Sequence, residues 1–433
     1  MLSIWKAESQ IDTFDSLYED ISTDVLVIGG GITGVLCAYI LKESGVNATL
    51  VEARSIASGV TQNTTAKITL QHGLIYQDIF KKYGEEKARL YLDANLKALN
   101  KYEKLCKNID CDFETKDSYV YSVDNREKLE NELNTLQKIG YLGEYISEPK
   151  IPVKTVGAIQ IKNQAQFNPL KFISTVTKKL KIYENTFVEY IDGKTAITRR
   201  GTKIRAKKII VATHFPFINK HGSYFLKMYQ HRSYVLALEN ARNVDGMYVD
   251  EAQNGMSFRN YKNLLLVGGG DHRTGKKGGN WNELRSFASK VYPNSREKFY
   301  WATQDCMTLD GIPHIGQYSP NTSSLFVATG FNKWGITSSM VSAMVLADMV
   351  QDIKNQYEEL FSPSRSILHP QLLVNCGETL LNFAFPTIKR CPHLGCALKW
   401  NPYEHTWDCS CHGSRFTENG KIIDNPATKD ANI

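Results

Sequence analysis

Residues 24–34 read Asp24-Val25-Leu26-Val27-Ile28-Gly29-Gly30-Gly31-Ile32-Thr33-Gly34, and this stretch decides the fold. The run through Ile28 is short, apolar and β-branched, the composition of a strand buried in a parallel sheet. Val35 to Leu41 continues with helix formers, Gly45 ends the helix, and Ala48-Thr49-Leu50-Val51 supplies a second strand finishing in Glu52. The whole predicts one βαβ unit. Within it Gly29, Gly31 and Gly34 take the G-x-G-x-x-G positions, for a tight turn, a close backbone approach to a pyrophosphate and close helix–strand packing. The phosphates then rest on a helix N-terminus, where unpaired N–H groups and the dipole favour an anion. Glu52 is placed to accept hydrogen bonds from ribose hydroxyls, and its charge disfavours a 2′-phosphate. Dinucleotide binding follows, with NAD and FAD both open.

Working outward, 433 residues exceed the roughly 250–300 at which one hydrophobic core stops growing, so at least two domains are expected. With 42% hydrophobic, 11% aromatic and 22% charged residues, the chain is far from disordered or coiled-coil compositions. No apolar run reaches the roughly 18 residues of a membrane span, and Met1 to Phe14 has no secretory leader pattern, so a cytoplasmic location is expected. A net charge of +7 without a Lys/Arg block predicts no nucleic-acid partner and favours an anionic substrate or cofactor. Of nine cysteines, Cys376, Cys391, Cys396, Cys409 and Cys411 crowd near the end beside histidines, the distribution of a metal site and not of a disulfide framework.

Later segments choose the cofactor. The small-residue loop Arg54 to Thr69 resembles the loop after the acidic strand in FAD enzymes of the D-amino-acid oxidase and glycine oxidase superfamily. Ala206 to Thr213 is similar to the strand by which that superfamily returns to its flavin domain. Leu309-Asp310-Gly311-Ile312-Pro313, Leu325 to Phe331 and Gly335-Ile336-Thr337 resemble its C-terminal flavin segment. The resemblance implies FAD contacts from Gly29, Gly31, Ile32, Thr33, Gly34, Glu52, Ala53, Arg54, Thr61, Thr65, Ala66, Val188, Ala212, Thr213, Gly311, Gly330, Gly335, Ile336 and Thr337. The superfamily's covalent tethers do not match Asn63 or Cys306, so noncovalent FAD is expected.

Between the flavin segments, residues 76–140 carry Lys, Glu and Leu at helical spacing and predict helices. Residues 221–270 alternate and predict an antiparallel sheet, which in the resembling superfamily roofs the flavin. An amino-acid substrate would call for a desolvated Arg and a Tyr, with Arg232, Tyr234, Tyr248 and Arg259 as candidates by strand position. Lys333 and Trp334 are expected near the ring. The catalytic expectation rests on Arg259, Tyr248 and Lys333. Asn332-Lys333-Trp334-Gly335 departs from the Gly-His pair common in the oxidase branch.

Near the end, Cys391-x-His393 and Cys409-x-x-His412 resemble the Rieske motif, in which two thiolates hold one iron of a 2Fe-2S cluster and two imidazoles the other. Zinc is the competing reading. The resemblance further implies a disulfide between Cys396 and Cys411 and a hydrogen bond from Ser414 to a bridging sulfide. The module is abbreviated. Either Leu372 to Phe385 supplies its missing strands, or the flavin domain walls the cluster, or the module is degenerate.

The expected architecture is α/β: a Rossmann-like FAD domain of the glutathione-reductase type with an antiparallel substrate sheet, followed by a small all-β module. Its bounds are 1–360 for the oxidoreductase domain, 361–385 for a linker and 386–433 for the Rieske-type module. FAD-binding parts fall at about 22–75, 151–215 and 301–355, and substrate parts at about 76–150 and 216–300. The expected function is oxidation of an amine or amino-acid-like substrate by hydride transfer to flavin, with single electrons leaving through the cluster to an external acceptor. A reductase running in reverse, or a redox-sensing flavoprotein with a structural metal module, are the alternatives.

Overall fold

The computed structural model describes residues 1–433 and builds them around three sheets. The first sheet has eight strands, ordered His314–Gln317, Leu325–Thr329, Lys203–Val211, Ile21–Ile28, Ala48–Val51 and Lys181–Tyr183, with the hairpin Val188–Asp192 and Thr195–Thr198 beside Lys203–Val211. Ile21–Ile28 is parallel to both neighbours, Val25 standing opposite Ala48 on one side and Lys208 on the other. Val25, Leu26, Val27 and Ile28 are all buried, as a strand covered on both faces requires. Helices Ile32–Glu43 and Gly335–Val350 pack over this sheet and are tied by Thr33 Oγ1 and Ser339 Oγ at 2.8 Å.

The second sheet has nine strands, ordered Arg296–Thr308, Met228–Glu239, Leu264–Arg273, Ser257–Tyr261, Met247–Asp250, Glu114–Ser122, Gly157–Gln166 and Lys67–Ile68, with Glu144–Ile146 on Gly157–Gln166. All its pairs are antiparallel except Met247–Asp250 with Glu114–Ser122. The third sheet holds Leu398–Asn401, Thr406–Cys409, Arg415–Thr417 and Ile422–Asp424. No helix is long and apolar enough to cross a membrane.

Three local expectations change. Residues 76–140 are not helical throughout: Ile75–Cys106 and Arg126–Lys138 are helices, but Glu114–Ser122 between them is a strand. Its Tyr119-Val120-Tyr121 run fits a half-buried pleat better than a helix. Residues 361–385 are not a plain linker and supply no strands to the terminal module. Pro370–Ala384 is a helix, with proline in its first turn and His369 Nδ1 accepting from Gln371 N at 3.2 Å. Its Leu373, Leu380, Leu381 and Phe383 are exposed. Lastly, Gly157–Gln166 and Arg296–Thr308, which touch the segments assigned to FAD binding, belong to the second sheet, because their alternating faces pair with Glu114–Ser122 and Met228–Glu239.

Candidate functional site

The two larger sheets enclose a cavity of about 1420 Å³, beyond the roughly 300–1,000 Å³ usual for one small ligand. Its floor begins at the glycine turn. Gly29 has φ +110°, and a Cβ there would lie 2.6 Å from the Ala212 carbonyl oxygen. A Cβ on Gly34 would meet Gly29 O at 1.9 Å, so only glycine lets the helix sit this close to the strand. Thr61 Oγ1 accepts from Ile32 N at 3.0 Å, and Glu52 accepts from Gly30 N at 2.7 Å and Arg54 N at 2.8 Å, which fixes the carboxylate at the ribose end. This cradle fits a dinucleotide.

Of the expected FAD contacts, Gly29, Gly31, Ile32, Thr33, Glu52, Ala53, Arg54, Thr61, Thr65, Val188, Ala212, Thr213, Gly311, Gly335 and Ile336 line the cavity. Four stand behind its wall, each for a local reason. Gly34 packs on Gly29; the Ala66 carbonyl is taken by Arg259 Nη1 at 2.8 Å; Gly330 backs onto the Thr308 methyl; Thr337 Oγ1 donates to Thr69 O at 2.9 Å. Neither Asn63 nor Cys306 lines the cavity.

The catalytic expectations divide. Lys333 lines the cavity, its Nζ paired with Asp271 and 3.3 Å from Gln253 O. Tyr248 does not; it is a core aromatic stacked on Tyr119 with ring centres 4.3 Å apart. Arg259 does not either: its guanidinium is sealed behind the wall, 5.4 Å from the Trp5 ring, with Nε and Nη2 unpartnered. Arg232, the other arginine weighed for a substrate carboxylate, faces away from the cavity and pairs with Glu404. Neither Arg232 nor Arg259 lines the cavity.

Sequence reasoning missed several cavity residues. Lys67 lines the wall with its ammonium held down to about 7 by burial and by Arg259. His72, pushed down to about 3 by burial, bonds Tyr91 OH at 2.7 Å and stacks under Trp334 at 5.0 Å. Asp305, Ser233 and Thr303 line the roof. Helical or strand periodicity marks none of these, because which face of a roof strand looks inward depends on its pairing.

At the opposite end of the chain, the structure brings Cys391, His393, Cys409 and His412 together in two loops. Cys396 and Cys411 are disulfide-bonded, 15 residues apart, and tie the loops to each other. Cys409 also approaches both of those sulfurs, but they are spent on each other, which leaves Cys391 and Cys409 as the free thiols of these loops. The Cys409 thiol is drawn down to about 7 by the Cys391 S–H and by the N–H groups of His412, Cys411 and Gly413. The rings of His393 and His412 lie edge-to-face at 5.0 Å, and the Nδ1 of each is buried without a partner. His393 Nε2 bonds Asn219 Oδ1 at 3.0 Å, which places its proton there and leaves the Nδ1 lone pair free. Burial pushes His393 down to about 4 and His412 to about 3, so both are neutral imidazoles. Two thiols and two inward lone pairs fit a Rieske cluster. Ser414 Oγ, fully buried, accepts from Ala427 N at 3.0 Å.

The first domain supplies the wall that the short module lacks. Gln230 Nε2 donates to His412 O at 2.8 Å, Gln304 Nε2 donates to Gly413 O at 2.9 Å, and Arg273 donates to Ser410 O at 3.2 Å. Gln230 and Gln304 project from one face of strands Met228–Glu239 and Arg296–Thr308, while Arg273 stands opposite His231 at the last position of Leu264–Arg273. Ser233, Val235, Thr303 and Asp305 project from the other face into the cavity. A single sheet therefore separates cavity and Cys/His loops. The module's tail also crosses the mouth of the cavity, with Ile422 to Asn425, Ala427 and Thr428 lining it. Asn425 Nδ2 donates to Thr213 O and Phe215 O, both at 2.6 Å, and Arg54 Nη1 donates to Ile423 O at 3.1 Å.

A dinucleotide cradle under a sheet roof, backed by a Cys/His loop pair, defines a redox flavoprotein type with an iron–sulfur module. The FAD dependent oxidoreductase family (DAO) matches residues 24–349, and the Rieske [2Fe-2S] domain matches residues 382–433. The chain belongs to that oxidoreductase family, and it carries the Rieske domain at its C-terminal end. Its cofactors are accordingly FAD and a 2Fe-2S cluster. It is 34% identical over 487 residues to YhfW of Bacillus subtilis (strain 168), named as a Rieske 2Fe-2S iron-sulfur protein, across 98% of this chain and 96% of YhfW. The terminal part is 44% identical over 60 residues to the cytochrome b6-f complex iron-sulfur subunit of Synechococcus sp. (strain JA-3-3Ab), 14% of this chain and 34% of that subunit. The fold resembles glycine oxidase from Geobacillus kaustophilus, with TM-score 0.67, 18% identity and coverage of 80% of this chain and 99% of that one. It also resembles L-proline dehydrogenase from P. horikoshii, with TM-score 0.67, 18% identity, and 81% and 98% covered.

Proposed function

We propose that the protein is a dehydrogenase that oxidises an amine or amino-acid-like substrate at a C–H beside nitrogen and passes the electrons, one at a time, to an external acceptor. The observation that carries this reading is the shared sheet: the strands that roof the cavity also hold the cluster loops through Gln230 and Gln304. The solved structures of like fold include an oxidase and a dehydrogenase named for glycine and L-proline, which supports an amine-class substrate.

FAD takes a hydride at its ring, and a Rieske cluster passes single electrons. The protein's own part is positional. Gly29, Gly31 and the N-terminus of Ile32–Glu43 receive the pyrophosphate, and Glu52 the ribose. Cys391 and Cys409 would hold one iron of the cluster, and His393 and His412 the other, with Asn219 orienting His393. Trp334, braced by His72, and Lys333 border the substrate space beneath the roof. The tail Ile422–Thr428 excludes water from the mouth.

The test is anaerobic mixing of the flavin-replete protein with primary and secondary amines and a one-electron dye. Bleaching of the flavin band with dye reduction, and slow oxygen uptake without dye, is the expected result. No bleaching by any amine, or oxygen serving as well as the dye, would contradict it.

A further inference from the structure

The roof of the cavity carries a polar patch that neither cofactor accounts for. Asp305 lines the cavity and has no hydrogen-bond partner in the protein. Its cross-strand neighbour His231 is 6% exposed with Nδ1 unpartnered, and Thr303, 9% exposed, leaves Oγ1 unpartnered. Ser233, opposite Thr303, likewise has a free Oγ, and Asp271 a free Oδ1. So many buried polar atoms without partners in one place are costly unless something else bonds them.

Charge narrows what that is. Lys333 is ion-paired with Asp271, so the one ammonium near Asp305 is shared between two carboxylates, and His231 is kept uncharged by burial, which pushes it down to about 3. Arg232 is on the far face of the sheet, shared with Glu404. Asp305 is left as a carboxylate facing a partly desolvated space; burial raises it only to about 6, so it is ionised at neutral pH. An isoalloxazine ring would bring no cation to answer it, and the glycine turn that would take the phosphates is on the first sheet, across the cavity. A half-buried carboxylate with no hydrogen-bond donor of its own and only a shared ammonium nearby has room for a further positive partner.

On the basis of the amine-oxidising reading, we propose that Asp305, with Ser233 and Thr303, forms a cation-binding subsite that holds a substrate ammonium group, and that the substrate is recognised by its positive charge and not by a carboxylate. Ser233 and Thr303 hydroxyls then accept its remaining N–H bonds.

The flavin-replete protein tests this with two ions of one shape that cannot be oxidised: tert-butylammonium and its carboxylate isostere, pivalate. Binding is read as a saturable change in the flavin visible spectrum. The wild type is expected to bind tert-butylammonium in preference to pivalate. Asp305→Asn should weaken ammonium binding on the order of tenfold or more, with Asp305→Glu restoring most of it. Tighter binding of pivalate, or unchanged ammonium binding in Asp305→Asn, would overturn the subsite. Should Asp305→Asn fail to hold flavin, the wild-type preference between the two ions decides alone. Because neither probe has a hydrogen on the carbon beside its charged group, ammonium binding without flavin bleaching by any amine would refute the dehydrogenase reading and leave the subsite standing.

Discussion

Arg232 of the roof sheet and Glu404 of the C-terminal module form a buried ion pair across the two parts of the chain, Arg232 Nε donating to Glu404 Oε1 at 3.0 Å with side chains 4% and 1% exposed. Glu404 also takes Arg415 Nη2 at 2.7 Å and Tyr234 OH at 3.1 Å, so one carboxylate joins the roof strand to the module's own third strand. The module is not a tethered appendage. Its docking is written into the strand that covers the flavin cavity.

Removing this carboxylate leaves the buried Arg232 guanidinium without its anionic partner, while Arg415 keeps Asp408 and Asp424. Glu404→Gln should therefore cost about 3–5 kcal/mol, the scale for breaking a buried pair. Burial alone would raise the carboxyl, but Arg232 and Arg415 hold it down to about 2, against 4.5 unpaired. Its stabilisation is thus complete above about pH 4.5 and lost as pH falls toward 2. Denaturant unfolding of wild type and variant as a function of pH checks both: their gap should close in acid, and a pH-independent gap would count against the pair.

Asn425 links the module's tail to the flavin floor through its two 2.6 Å bonds to Thr213 O and Phe215 O. At about 1 kcal/mol each, Asn425→Ala should raise the FAD dissociation constant up to about thirtyfold. Recovery of flavin fluorescence on dilution measures it. A variant that holds FAD as tightly as wild type would mean the tail does not close the cavity.

Asn219 orients His393 by accepting its Nε2 proton at 3.0 Å. Replacing such an outer partner typically costs 10–100-fold in metal affinity. Asn219→Ala should lose iron to a chelator faster than wild type, with two irons still bound before challenge, whereas His393→Ala should not assemble the cluster at all. Equal iron loss from Asn219→Ala and wild type would remove the orienting role.

What the sequence disclosed and what it hid follow from locality. Gly29, Gly34 and Glu52 act within one βαβ unit, where spacing along the chain translates directly into geometry. Cys391, His393, Cys409 and His412 are likewise carried by two short loops. The roof is different, because a strand's side chains look inward or outward according to pairings set by residues far away. Tyr248 and Arg259 sit on expected strands, yet their side chains pack on Tyr119 and behind Ala66. Arg232 finds its partner 172 positions away, in the turn between Leu398–Asn401 and Thr406–Cys409. Asp305, a lone acid in an alternating strand, carries no signal until the pairing sets Ser233, His231 and Thr303 beside it. The missing strands of the short module were legible only as an absence, and the structure answers it with Gln230, Arg273 and Gln304 of the first domain.

The central claim is that electrons pass between flavin and cluster through the shared sheet. Photoreduction of the anaerobic holoprotein with oxalate as donor admits electrons at the flavin without requiring a substrate, and low-temperature electron paramagnetic resonance reads the cluster. The reduced-cluster signal is expected to rise as the flavin bleaches and to integrate to one spin per chain at full reduction. A flavin that bleaches while the cluster stays oxidised, in protein whose cluster dithionite reduces directly, would contradict it.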